Sequence, residues 1–270
     1  MFTDRDGKFQ LATLAESGFD PLARTCQFML IEEAYHLFVG ETGIRRVVQR
    51  TAELMNESPN EDVRPAGGIP IDIIQRYINE WYSASLDLFG GEDSSNAASY
   101  FARGLKGRYK EGSNRYDDHV ALEGSYTLEK PAADGSIVKE EVALRRAMNL
   151  VLRDAYVEDC ERALGMWNKI LDKHGISYHI TLPSDCFNRM QGLYANMPYG
   201  PSGDLMTRES WDAGRDNCLP SQEDYDYVQS LMQPVYEAGK FANWISPPKR
   251  GINGQELDFM YAKFDEHVRS

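Results

Sequence analysis

The chain has 270 residues, of which 42% are hydrophobic and 26% charged, enough apolar material for one large core or two smaller ones. A formal charge of −13 and a pI near 4.9 give a surface that repels nucleic acid and anionic membranes, which argues against a phosphate-backbone or membrane binder. No apolar run reaches the roughly 18–20 residues of a bilayer span, and "MFTDRDGKFQ" lacks the basic start and apolar stretch of a signal peptide.

Helical periodicity begins near Pro21, a residue suited to a first helical turn, and runs towards Met55, with breaks expected at Gly40 and Gly43. "NESPNEDVRPAGGIP" (56–70) reads as a loop, followed by a second helix from Ile71 to Leu88. "FGGEDSSN" is its stop and the cap of a short helix. Between Tyr126 and Val142, Asp134-Gly135 separates two strand-like runs and predicts a β-hairpin. Leu144 to His174 is helical again, ending at Gly175 as a left-handed cap. "ISYHITLP" reads as a strand, "SQEDYDYVQSLMQPVYEAGK" contains a further helix, and the tail from Trp244 is irregular. Cys26, Cys160, Cys186 and Cys218 form no CxxC pair and read as free buried thiols of a soluble cytoplasmic protein. The expected architecture is mainly α, a bundle-type core with a small β excursion.

"FMLIEEAYHLFVG" (28–40) carries the chemistry. On a helix, Glu33 and His36 are one turn apart, so both head groups point at one spot, with Leu22, Cys26 and Met29 on the same side. The rest of the circumference is also largely apolar, which predicts a buried helix and buried polar groups. A buried carboxylate and imidazole need either each other or a cation between them. Carboxylate-bridged di-iron and di-manganese bundles use this Glu-x-x-His pairing, in which the carboxylate bridges two cations and the imidazole ligates one. A complete site of that kind has two such pairs. The other histidines have Tyr116, Leu171, Ile176 and Phe264 three residues before them, so this sequence holds one pair.

"FTDRDGKFQL", "FDPLARTCQFMLIEEAYHLFVGETGIRRVVQRTAELM", "DLFGGEDSSNAASYFARGLKGRYKEGSNRYDDH" and "LRDAYVEDCERALGMWNKILDKHGI" together resemble the catalytic di-iron subunit of the benzoyl-CoA 2,3-epoxidase (benzoyl-CoA oxygenase) family. The resemblance spans essentially the whole chain. It implies a ferritin-like helical bundle over 1–125, a hairpin over 126–143 and a packed C-terminal helical and irregular region over 144–270. It carries Glu33 and His36 over as metal ligands, with Asp4 as the carboxylate of the preceding helix and Asp6 as a lesser alternative. It also implies iron as cofactor, benzoyl-CoA and O2 as substrates, and a separate NADPH-dependent flavin and iron–sulfur reductase. Members have a further N-terminal helical portion with the remaining ligands. The chain is therefore expected to be a C-terminal portion with half the ligand set and weak or no activity alone, whether truncated, split or begun at a miscalled start.

The other features carry competing readings. Lys106, Arg108, Lys110 and Arg115 in "GLKGRYKEGSNR" form either a contact for CoA phosphates or a solvated loop, and Lys249 and Arg250 pose the same choice. Asp154, Glu158 and Glu161 lie on one helical face without a histidine; a salt-bridge role is expected, with Arg162 placed to pair with Glu158. Trp81, Trp167, Trp211 and Trp244 are expected to pack the core. The rival function is a non-catalytic helical interaction module that has lost the metal. A homodimer joining two sets of Asp4, Glu33 and His36 is an intermediate arrangement.

Overall fold

The computed structural model describes residues 1–107, 124–132, 136–237 and 240–250, and over these the chain is mainly helical, with one two-stranded antiparallel sheet. Helix α1 spans Phe2–Leu14, α2 Asp20–Glu57, α3 Ile71–Leu86 and α4 Ser95–Ala102. Strands β1 (Ser125–Pro131) and β2 (Ile137–Ala143) follow, then α5 (Met148–Lys173), α6 (Arg208–Gly214) and α7 (Gln222–Leu231).

Pro21 sits in the first turn of α2, where its missing N–H costs nothing. The expected breaks at Gly40 and Gly43 do not occur, and α2 continues through both. Each glycine costs about 1 kcal/mol against alanine, which a 38-residue helix packed along half its length absorbs. Gly40 also serves an approach: a Cβ there would stand 3.1 Å from Cβ of Met1, so the start of α1 can lie close against α2. Downstream, the helix from Ile71 stops at Leu86, and Gly90, at φ +82°, turns the chain. The Ser94 side chain then accepts the Ala97 N–H and caps α4. Gly175 ends α5 as the sequence predicts: its own N–H and that of Ile176 donate back to Asp172 and Leu171 in a Schellman arrangement.

The core gathers where α1, α3 and α5 meet the C-terminal half of α2. Phe2, Phe9, Val48, Ala52, Ile73, Tyr82, Leu86, Tyr156 and Trp167 are all buried there. Tyr82 stacks on Tyr156, with Phe9 edge-on to the latter. The hairpin pairs Ser125 with Ala143 through Pro131 with Ile137, and Leu128 packs on Ala147 and Leu150. Its Asp134-Gly135 turn lies outside the described residues.

"ISYHITLP" is not a strand. Side-chain amides take the place of a neighbouring strand. Asn168 exchanges two hydrogen bonds with the Ile180 backbone, and Gln75 exchanges two with that of Thr181. A buried ionic cluster of Glu92 with Arg153 and Arg189, the latter also bound to Asp87, fastens the following loop to the bundle.

Helix α1 is anchored by Arg5, whose side chain is 1% exposed. It donates to Glu41 of α2 at 2.7 Å, to the Asp159 backbone oxygen of α5 at 2.9 Å, and to the Asp159 carboxylate. Arg162 pairs with Asp159 and Glu41 rather than with Glu158, because Arg5 has already drawn those two carboxylates together. Removing one partner of such a cluster strands the remaining charges in a low-dielectric interior. Arg5→Ala is expected to cost about 3–5 kcal/mol of stability in urea unfolding; a loss below about 1 kcal/mol would show that the cluster does not hold α1.

Candidate metal centre

The two halves of α2 have opposite surroundings. Val48, Thr51, Ala52 and Leu54 are buried, whereas Phe28, Ile31, Tyr35, Phe38 and Val39 are exposed by about half or more. The expectation that residues 28–40 form a buried helix is therefore corrected: periodicity shows that a helix is apolar all round, not that anything covers it. Phe28, Ile31, Tyr35 and Phe38 stand three and four residues apart, the spacing of a seam that receives another helix. The apolar wall expected around the ligands is only partly enclosed: Cys26 is buried, Leu22 half-buried and Met29 45% exposed.

At the flank of this stripe α1 crosses α2, and the crossing brings Asp4, Glu33 and His36 together. Asp4 lies in the first turn of α1, one residue before the buried Arg5. With Arg5 turned inward, Asp4 is about 100° around the helix, facing Glu33 and His36. One ligand atom from each of the three residues lies within 4.8 Å of the others, and among the described residues they form the one cluster of this kind. That bound is close to the about 4 Å between opposite ligands of one first-row ion. Asp6, two residues on, faces elsewhere: it is buried beside Gln10 and Lys106, and burial raises its carboxyl to about 6. Lys106, in the loop after α4, donates to Gln10; Arg108, Lys110 and Arg115 lie outside the described residues.

The electrostatics of the cluster are unbalanced. Glu33 has its side chain 18% exposed, and its Oε2 is buried with no hydrogen-bond partner. His36 Nδ1 stands 3.9 Å from that oxygen, too far for a hydrogen bond, and His36 is half exposed. The Met1 amino group pairs with Asp4 at 2.8 Å and leaves Glu33 Oε2 unmet. Burial first, and the Asp4 charge second, push the Glu33 carboxyl above its usual range, with His36 pulling the other way. Two carboxylates, one of them with an orphaned oxygen, and an imidazole suit a divalent first-row cation, for which both are ordinary ligands. The residues present fit a metal.

Other acidic groups on α5 do not compete. Asp154 accepts a hydrogen bond from the Tyr126 hydroxyl at 2.7 Å, while Glu158 and Glu161 are exposed. Trp167 and Trp211 are buried as expected, but Trp81 is 51% exposed and borders a cavity described below. All four cysteines are free, Cys26 and Cys160 buried, Cys186 and Cys218 half-buried.

A carboxylate without a partner destabilises the fold that holds it. Glu33→Gln is therefore expected to raise stability in metal-free buffer at pH 7, by roughly 0.5 kcal/mol, and to remove the stabilisation that added Mn(II) or Fe(II) gives the unaltered chain. Both effects are read from unfolding curves with and without metal. Equal metal-induced stabilisation in the two proteins would exclude Glu33 as a ligand.

No protein-family model matches the chain. Among the described residues no helix is long and apolar enough to cross a membrane. The chain is 47% identical over 266 residues, 97% of its length, to a protein of Aromatoleum evansii named benzoyl-CoA oxygenase component B, and it spans 56% of that longer protein.

Proposed function

We propose that the chain supplies the Asp4, Glu33 and His36 half of a di-iron centre in an oxygenase that epoxidises benzoyl-CoA to its 2,3-epoxide. The observation that carries this is the orphaned Glu33 oxygen held among Asp4 and His36 on the edge of an exposed apolar helix face. The 47% identity to a protein named benzoyl-CoA oxygenase component B supports the substrate and reaction class, and the word component supports a multi-part system. The electron donor in this reading is a separate NADPH-dependent flavin and iron–sulfur reductase.

When bound, iron supplies the reduction of dioxygen. This chain's residues do the rest of what can be assigned to them. Glu33 would offer its unpaired carboxylate oxygen to the metal, His36 a ring nitrogen, and Asp4 a second carboxylate. Three ligands do not hold two ions, so in this reading the remaining donors are supplied by a further polypeptide segment that joins this chain. The Phe28–Ile31–Tyr35–Phe38 seam is where such a segment would seat, closing the site against water. An apolar cavity of about 390 Å³ opens beside Thr3, the residue before Asp4, and is lined by Phe2, Ile44, Val47, Tyr77 and Trp81 among others. Its size and lining suit an aryl group, and we assign the ring of the substrate to it.

The exposed seam also favours a second reading, a helical interaction module that binds no metal. Anaerobic loading with Fe(II), followed by iron counting and assay of benzoyl-CoA conversion under O2 with a chemical reductant, separates the two. The 270-residue chain alone is expected to keep at most one iron and to give only trace epoxide. His36→Ala should lower iron affinity by at least the about tenfold that loss of even a supporting hydrogen bond costs a metal site. Two tightly held irons per chain would overturn the half-site, and no iron binding at all would favour the module.

A further inference from the structure

We propose that a groove between the C-terminal half of α2, the end of α5 and the segment 243–250 binds a phosphate-bearing anion. The groove, about 260 Å³, is lined by Arg45, Arg46, Lys173, His174, Lys249 and Arg250, and no carboxylate is part of its lining. Five permanent cations around one depression are out of keeping with a chain of net charge −13. Ordinary surface charge is mixed in sign, and a concentration of one sign in a concave site focuses its field on a counter-ion.

The bland explanations fall short. The carboxyl end of α5 carries roughly half a negative charge, which accounts for Lys173 but not for four further cations from other segments. Ion pairing does not account for them either: among the described residues Arg45, Lys173, Lys249 and Arg250 make no salt bridge. Glu53, which is close enough to His174 to feel its charge, is already occupied by Gln49, Arg50 and the Ser246 hydroxyl.

The groove is also built, not merely charged. The Ser246 N–H donates to the Arg46 backbone oxygen, the Arg46 side chain donates to the Ser246 oxygen at 2.6 Å, and Arg50 donates to the Asn243 oxygen. These bonds strap the segment across α2. Pro247 and Pro248 then leave no N–H to satisfy and few backbone conformations. They carry Lys249 and Arg250 to the rim opposite Lys173. A forked guanidinium beside ammonium groups is the pairing that recognises phosphate oxygens.

Two sources share this chemistry: free diphosphate, and the nucleotide phosphates of a coenzyme A ester such as the substrate proposed above. The site does not depend on the metal, and the test is run without one. Calorimetric titration of the full 270-residue chain at low salt uses inorganic diphosphate, coenzyme A and 3′-dephospho-coenzyme A. One molar equivalent of each is expected to bind, with affinity falling as salt rises. A tenfold preference for coenzyme A over diphosphate, reduced by loss of the 3′-phosphate, identifies the coenzyme as occupant; equal affinities identify free phosphate anions. The exposed double variant Lys173→Gln, Lys249→Gln should weaken binding at least tenfold, whereas Lys130→Gln, Lys139→Gln on the hairpin should leave it unchanged. The proposal is overturned if no probe binds, if both double variants behave alike, or if only an acidic protein, and no phosphate probe, occupies the groove. Circular dichroism confirms that each variant is folded.

Discussion

The geometry of the candidate metal centre depends on one buried guanidinium. Arg5 is drawn in by Glu41 of α2 and Asp159 of α5, and that three-helix clasp fixes both the position and the rotation of α1. Burying these charges carries a desolvation cost that only good pairing offsets, so α1 has little freedom to slide or roll. Because Asp4 precedes Arg5, the inward pull on one residue turns the other toward Glu33 and His36. The bare Gly40 lets the crossing close. The geometry of the cluster is thus set by a neighbour that is not part of it.

The same helix serves two purposes along its length. Its C-terminal half packs like any core helix, and its N-terminal half keeps a hydrophobic seam on the surface and, beside it, a buried carboxylate oxygen without a partner. Both features cost stability in isolation. Exposed phenylalanines lose the burial worth about 1.5–3 kcal/mol each, and the Glu33 oxygen lacks a partner. These two adjacent unmet demands of different kinds, one apolar and one electrostatic, are what the proposed half-site would meet together.

Much of this could be read from the residues. The extent of α2, the cap at Gly175, the hairpin strands and the short capped helix after Gly90 follow from local signals and appear as expected. Glu33 and His36 were visible because an i, i+3 acid–imidazole pair in an apolar run is itself conspicuous, while Asp4 came from family resemblance. Three things were not legible. Whether α2 is covered depends on partners that periodicity cannot report. "ISYHITLP" has the alternation of a strand, yet side chains, Asn168 of α5 and the sequence-distant Gln75 of α3, bond its backbone instead of a neighbouring strand. The role of Arg5 was hidden because nothing local distinguishes a clasping arginine from a surface one; its only trace is an arginine at a position flanked by Phe2 and Phe9 on the inward side of α1.

The most direct test is crystallographic. Crystals of the chain soaked in Mn(II) or Fe(II) and measured at the metal's absorption edge should show an anomalous peak bounded by the Asp4 and Glu33 carboxylates and the His36 ring, with Arg5 still clasped to Glu41 and Asp159. Absence of that peak at saturating metal, or a structure in which α1 has moved so that Asp4 no longer faces Glu33, would contradict the account.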